Sequence, residues 1–269
     1  MKKLLTVLCM IMIVLTLGAC TSNQTQQEEQ PQEEVNNEVP AFVNSLLTKD
    51  TIIVATSPDY PPFESLNAQG EAEGFDIDAL NEVIKILNEQ NGTNLKIELK
   101  QMDFSTIISA AQANQIDMGV SAFTYNPERD CDFSTPYLYS AQVIVTSNDT
   151  GIPCAEDLAG KKVAAGTGTT GDAAAQEIEG VEMVYPGDYT VMFQTLQAGQ
   201  IDAVVCDKAV GENYVKEMGL VLIEPALVEE DMSYIFKKGN TELCEAINKA
   251  IEEFVASDAY TELITKWGL

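Results

Sequence analysis

A repeat constrains this chain more than any other feature. Residues 104–121, FSTIISAAQANQIDMGVS, align at an offset of 85 with residues 189–206, YTVMFQTLQAGQIDAVVC, pairing Gln112 with Gln197, Asn114 with Gly199 and Asp117 with Asp202. Each copy reads as a helix, closed by Asn or Gly in a left-handed cap and followed by a short strand. A unit used twice predicts two similar lobes. The residues just past each strand, Ser121 and Ala122 in one copy and Cys206 and Asp207 in the other, are expected at the carboxyl end of a sheet, where open α/β sheets place their ligands. Two such ends facing each other would enclose a small molecule.

From Thr51 onward strand-like and helix-like periodicities alternate, which predicts an α/β architecture. Ile52-Ile53-Val54-Ala55 reads as a buried strand and PDYPPF punctuates it. Asp76 and Asp78 precede an apolar stripe of Ile77, Leu80, Val83, Ile84 and Leu87, so they read as helix-start residues and not as a catalytic pair. Asp117 and Asp202 sit between helix cap and strand, where capping and turn duty is expected. Asp207 ends the apolar run AVVC and therefore needs a cation nearby, either an internal lysine such as Lys208 or Lys216, or a bound ammonium group.

Charge and composition exclude several functions. Fifteen basic residues against 42 acidic ones leave a net charge of −27, which repels phosphate backbones, so no nucleic-acid partner is expected. Histidine is absent, which excludes Ser-His-Asp hydrolysis, Cys-His proteolysis and imidazole-ligated zinc. No metal and no cofactor are expected. At 45% hydrophobic and 21% charged, the chain has ordinary globular composition.

The first 19 residues read as a signal peptide, with Lys2 and Lys3 before an apolar run from Leu4 to Leu17 that is shorter than the roughly 20 residues of a bilayer span. Leu17-Gly18-Ala19-Cys20 resembles the lipobox of bacterial lipoproteins, which implies acylation of Cys20 and a mature chain starting there. Several acyl chains would hold a soluble domain at a membrane surface. Removal of both lysines would leave thirteen basic residues against 42 acidic, a balance of −29. The following TSNQTQQEEQPQEEVNNEVP is polar and acidic, so residues 20–50 are expected to be a solvated tether. Cys131, Cys154, Cys206 and Cys244 then remain; they allow three complete pairings, and the sequence selects none.

The segments SPDYPPF (57–63), GFDID (74–78), QID (115–117), SAFTYNPER (121–129) and FSTPY (133–137), followed by DLAGKK (157–162), GTGTT (166–170), IDA (201–203), KGN (238–240) and Lys266-Trp267, resemble in order and spacing the polar amino acid-binding proteins of bacterial ABC importers. The resemblance covers about residues 50–269. It implies a periplasmic-binding-protein-like fold with a hinged cleft: lobe 1 from residues 51–140 plus 232–269, lobe 2 from residues 141–231, and hinge crossings near 139–143 and 229–233. It implies that Arg129 takes the ligand's α-carboxylate, for which a planar, permanently charged guanidinium is suited. Thr124 would donate to the same carboxylate, Ser121 would accept from the α-ammonium, and Asp207 would bind that ammonium. Thr169 and Thr170 would line the lobe 2 loop ahead of a helix starting near Asp172, and Tyr60 and Phe104 would sandwich the ligand side chain.

The chain departs from that pattern at two places. Ser57 stands where lysine- and arginine-type binders carry an acid, with Asp59 nearby, and Ala122 stands where several relatives have serine. GTGTTG at 166–171 also satisfies the dinucleotide pattern GxGxxG, but alone that match is weak and the resemblance already accounts for the glycines. The resemblance implies a monomeric, non-enzymatic protein, lipid-anchored outside the cytoplasm, that captures a polar amino acid and passes it to an importer permease. An exported enzyme of the same fold, like cyclohexadienyl dehydratases, and a ligand sensor are the rival readings.

Overall fold

Ile52 to Ala55 form the middle of strand β1 (Thr51–Thr56) in a computed structural model that describes residues 49–148 and 151–269. The signal peptide, Cys20 and nearly all of the acidic tether lie outside the described residues. A hairpin of β2 (Ser65–Leu66) and β3 (Ala72–Glu73) leads into α1 (Phe75–Asn91), then β4 (Lys96–Gln101), α2 (Phe104–Gln112), β5 (Met118–Thr124), β6 (Cys131–Phe133) and β7 (Leu138–Thr146). After these come β8 (Lys162–Ala164), α3 (Thr170–Gln176), β9 (Glu182–Val184), α4 (Tyr189–Gln197), β10 (Ala203–Asp207) and α5 (Lys208–Met218). The chain closes with β11 (Val221–Lys237), α6 (Thr241–Val255) and α7 (Asp258–Trp267).

Among the described residues the main sheet runs β4-β1-β5-β11-β7-β10-β8-β9, with β6 also paired to β11. β1 is parallel to β4 and β5, and β8 is parallel to β9 and β10, so each end is a small parallel sheet flanked by helices. Two long antiparallel strands join them. β11 pairs with β5 through Met232 to Phe236 and with β7 from Val221 to Met232, while β7 pairs with β10 through Gln142 to Thr146. These crossing strands are shared by both lobes of a two-lobed α/β fold.

The repeat is visible in the backbone. Helix α2 is followed by Asn114 at φ 55° and helix α4 by Gly199 at φ 67°, the left-handed turns expected at both places. Asp117 accepts from the Ile53 N–H at 2.9 Å and pairs with Lys49 at 2.7 Å; Asp202 accepts from the Lys162 N–H at 2.8 Å. Both aspartates thus lock the repeat's strand to the start of its parallel neighbour, a structural duty. Gln112 and Gln197 each donate to a backbone carbonyl, of Asp130 and Met218.

Helix α1 buries Leu80, Val83, Ile84 and Leu87 as the periodicity predicts, and α6 buries Leu243, Ile247, Ala250, Ile251 and Phe254 in the same core. Gly74 caps α1 at φ 145°, and a Cβ there would collide with the Phe63 carbonyl, so only glycine serves. Asp78 is a first-turn residue that accepts from Lys266 Nζ and Trp267 Nε1, both at 2.7 Å, tying the C-terminal helix to α1. Cys131, Cys154, Cys206 and Cys244 are free thiols.

Candidate functional site

A cavity of about 380 Å³ opens between the lobes at the carboxyl ends of β1, β5 and β10. All eight residues expected at the ligand, Tyr60, Phe104, Ser121, Thr124, Arg129, Thr169, Thr170 and Asp207, line it. Their hydrogen bonds divide them into groups committed to the protein and groups left open.

On the first lobe, Ser121 and Ala122 lie within β5 and not past its end. Ala122 has φ 45°, unusual for a residue with a Cβ, and its N–H is held by Asp76 Oδ2 at 2.7 Å. Asp76 also accepts from the Tyr137 hydroxyl at 2.7 Å. Its carboxyl is wholly buried, and burial pushes it up to about 6. The helix-start reading of Asp76 is therefore incomplete: the residue stands in the first turn, but it also pins the kinked strand that shapes the cavity floor. Ser121 Oγ donates to Glu64 Oε1 at 2.8 Å and accepts from the Ser57 N–H at 3.1 Å. Burial, then the adjacent Asp76, drives Glu64 well above its ordinary range.

Arg129 reaches the cavity through stacking and two carbonyls. Its Cζ lies 5.5 Å from the ring centroids of both Phe104 and Phe123, which themselves stack at 4.5 Å. Nη1 donates to Thr124 O and Nη2 to Gly168 O, each at 3.0 Å, the second bond crossing between lobes. A guanidinium has five N–H donors, so donors remain for a ligand carboxylate.

On the second lobe, Asp207 ends β10 at 4% exposure. Its Oδ2 accepts from the Tyr60 hydroxyl at 2.8 Å, and that hydroxyl also accepts from the Asp207 N–H at 2.7 Å. Oδ1 has no hydrogen-bond partner. Lys208, one of the two internal lysines considered for it, pairs instead with Glu224 at 3.2 Å. Burial, then the charge of Glu230, pushes the Asp207 carboxyl up to about 7, partly offset by Ser140, Tyr60 and Gln142. This group would gain most from a cation.

The threonines are more occupied than the sequence suggests. Helix α3 starts at Thr170, earlier than expected, with Thr169 as N-cap: its Oγ1 accepts from the Asp172 N–H at 3.1 Å and donates to Gly166 O at 2.7 Å. The GxGxxG segment forms this capped loop, and its Gly168 N–H donates to Asp172 at 3.2 Å. Thr124 and Thr170 hydroxyls, from opposite lobes, both donate to Glu230 Oε2, at 2.7 and 2.9 Å, and Gln142 Nε2 adds a third bond at 2.9 Å. Glu230, on crossing strand β11, joins the lobes behind the cavity and was missed in the sequence. Its signal is the alternation that places it on the same face as buried Met232 and Tyr234. Tyr60 and Phe104 line the cavity, but the Tyr60 ring packs at 4.5 Å on Tyr189, the residue that stands in the second repeat where Phe104 stands in the first.

Chemically the cavity presents a guanidinium on one lobe and a buried carboxylate with an open oxygen on the other. A model of bacterial extracellular solute-binding proteins, family 3, matches residues 52–269. An L-cystine-binding protein of Escherichia coli is 29% identical over 233 residues, covering 84% of this chain and 85% of its own. A histidine-binding periplasmic protein of Salmonella typhimurium is 32% identical, covering 80% and 86%. The solved structure of an ancestral arginine-binding protein bound to arginine superposes with a TM-score of 0.74 at 36% identity, covering 81% of this chain and 98% of that one. Each of these named relatives is a binding protein.

Proposed function

The chain belongs to the bacterial extracellular solute-binding proteins of family 3, and on that premise we propose that it binds one free polar amino acid in the cavity between its lobes. The observation that carries this reading is a cavity lined on one lobe by buried Asp207, whose Oδ1 has no hydrogen-bond partner, and on the other by Arg129. An α-ammonium would satisfy the first and an α-carboxylate the second, and no single charge on a ligand would satisfy both. Tyr60, Phe104, Ser121, Thr124, Thr169 and Thr170 complete the walls, with lobe 1 taken as residues 51–140 plus 232–269 and lobe 2 as 141–231. A thermal-shift screen of the purified protein against the amino acids tests it, because a ligand that binds only the folded state raises the melting temperature by mass action. At least one polar amino acid is expected to stabilise; no response from any would refute the reading.

In this reading the protein is a monomer that hands its ligand to an ABC importer permease and is held outside the cytoplasm at a membrane through acylated Cys20. Radiolabelled palmitate is then expected to enter the wild type and not Cys20→Ser. Equal labelling would reject the anchor.

A further inference from the structure

The side chain of Tyr60 crosses the cleft and binds the far lobe directly. Tyr60 follows β1 and Asp207 ends β10, and in the sheet β5, β11 and β7 stand between those two strands. A tight turn fixes where Tyr60 starts: its N–H donates to Glu64 O at 2.8 Å, and its carbonyl accepts from the Phe63 N–H at 3.0 Å. From there the ring reaches Tyr189, the first residue of α4, at 4.5 Å between centroids. Tyr189 is itself held by the Gly166 N–H, which donates to its hydroxyl at 3.1 Å. The Tyr60 hydroxyl then makes two bonds to one residue, donating to Asp207 Oδ2 at 2.8 Å and accepting from the Asp207 N–H at 2.7 Å. Both residues are buried. Burial, then the Asp207 charge, drives the phenol well above its ordinary range, so it keeps its proton and remains the donor.

These bonds join protein to protein, so they favour closure whether or not the cavity is filled. They also leave room for a ligand's own contact. A carboxylate has two oxygens, and Tyr60 takes Oδ2 while Oδ1 has no hydrogen-bond partner. Arg129 Nη2 to Gly168 O and the Thr170 hydroxyl to Glu230 also link the lobes, each by a single bond. In an opened cleft water would reach the phenol, the Asp207 N–H and Oδ2. In the closed one the phenol replaces that water, and without it a buried amide and a buried carboxylate oxygen each lose a partner. The hydroxyl therefore bears on the balance between open and closed.

We propose that Tyr60 is a positioning residue, a clasp whose hydroxyl draws the lobes together and holds the Asp207 carboxylate, so that the closed arrangement is populated before a ligand arrives. This goes beyond the amino acid reading and does not depend on which ligand is bound. The test is Tyr60→Phe, which keeps the ring on Tyr189 and removes the hydroxyl alone. Purified wild type and variant, both free of ligand, are compared by small-angle X-ray scattering and by amide hydrogen exchange read residue by residue with NMR. Tyr60→Phe is expected to have the larger radius of gyration, and its Asp207 amide to exchange about tenfold faster, while the Val204 and Val205 amides of the same strand exchange as in wild type. Asp207→Ala, which removes the carboxylate half of the clasp, is expected to enlarge the radius too, and it decides the question if Tyr60→Phe does not fold. An unchanged radius would overturn the clasp even with faster exchange at Asp207, since the hydroxyl would then hold that residue without drawing the lobes together. Equal acceleration at Val204, Val205 and Asp207 would mark a general loss of stability in β10 and overturn it as well. Because no ligand enters these measurements, either failure leaves the amino acid reading standing, and that reading falls only with the amino acid screen.

Discussion

In the first lobe the repeated strand reaches the cavity through Ser121 and Ala122, and both are tied to buried carboxylates, Glu64 and Asp76, of their own lobe. In the second lobe the equivalent strand ends on Cys206 and Asp207; the thiol is sunk in the core and the carboxylate keeps one oxygen without a partner. The rest of the repeat is used alike in both. Asp117 and Asp202 each lock a strand to its neighbour, Gln112 and Gln197 each donate to a carbonyl, and Asn114 and Gly199 each turn the chain in the left-handed region. These positions hold the frame in both copies, and the copies part at the cavity, where Ala122 stands in one and Asp207 in the other. The two lobes thus meet the cavity differently, the first through a strand pinned by its own carboxylates and the second through a carboxylate with one oxygen lacking a hydrogen-bond partner.

The comparison breaks most visibly at the two charged anchors. Arg129→Ala and Asp207→Ala, one change on each lobe, are each expected to weaken the screened amino acid by about 10²–10³-fold, because the ligand's own charge stays desolvated without its partner. Titration calorimetry checks this, and binding within threefold of wild type in either variant would remove that residue from the site.

Asp207 also carries a stability effect that its counterpart Ala122 cannot. Its folded carboxyl sits at about 7 against an ordinary value of 3.8, so its contribution to stability is present at low pH and is lost as pH rises through about 7. Ligand-free Asp207→Asn is therefore expected to be more stable than wild type at pH 8, on the order of 2 kcal/mol, with the gap narrowing at pH 5. Chemical denaturation at both values measures it. Glu64 and Asp76, raised in the same direction, remain in both proteins and cancel in the difference.

The same titration governs affinity. Only the ionised Asp207 holds an ammonium, so wild-type binding is expected to weaken about tenfold between pH 8 and pH 6. Tyr60, Tyr189 and Cys206 around it are pushed upward by burial and stay neutral over this range, while the Glu230 charge is the second cause of the Asp207 shift. A smaller effect sharpens the other half of the comparison. Asp117→Ala and Asp202→Ala are each expected to lower stability by about 1 kcal/mol, by similar amounts, while leaving ligand affinity within threefold.

The frame was legible in the sequence because its causes are local. The helix–turn–strand unit, the left-handed Asn114 and Gly199, the stripe on α1 and the buried β1 run each depend on residues a few positions apart. In the cavity wall, the strand ends carrying Ser121 and Asp207 were legible from the repeat and the other lining residues only through the resemblance, since the geometry depends on distant pairs: Tyr60 with Asp207, Ala122 with Asp76, and Glu230 with Thr124 and Gln142. Glu230 looked like one more acid in an acidic chain, and only the pairing of β11 with β7 and β5 buries it between the lobes. Thr169 likewise reads as a hydroxyl for a ligand until the start of α3 makes it a cap.

The central claim is that a single ligand is gripped by its two ionic ends from different lobes, so that only the closed arrangement makes both contacts and binding must shift the population toward it. Small-angle X-ray scattering of the purified protein, with and without saturating amino acid, tests this directly. A smaller radius of gyration is predicted with ligand, and no contraction in Arg129→Ala at the same concentration. An unchanged radius in the wild type, with saturation verified by calorimetry, would contradict the account.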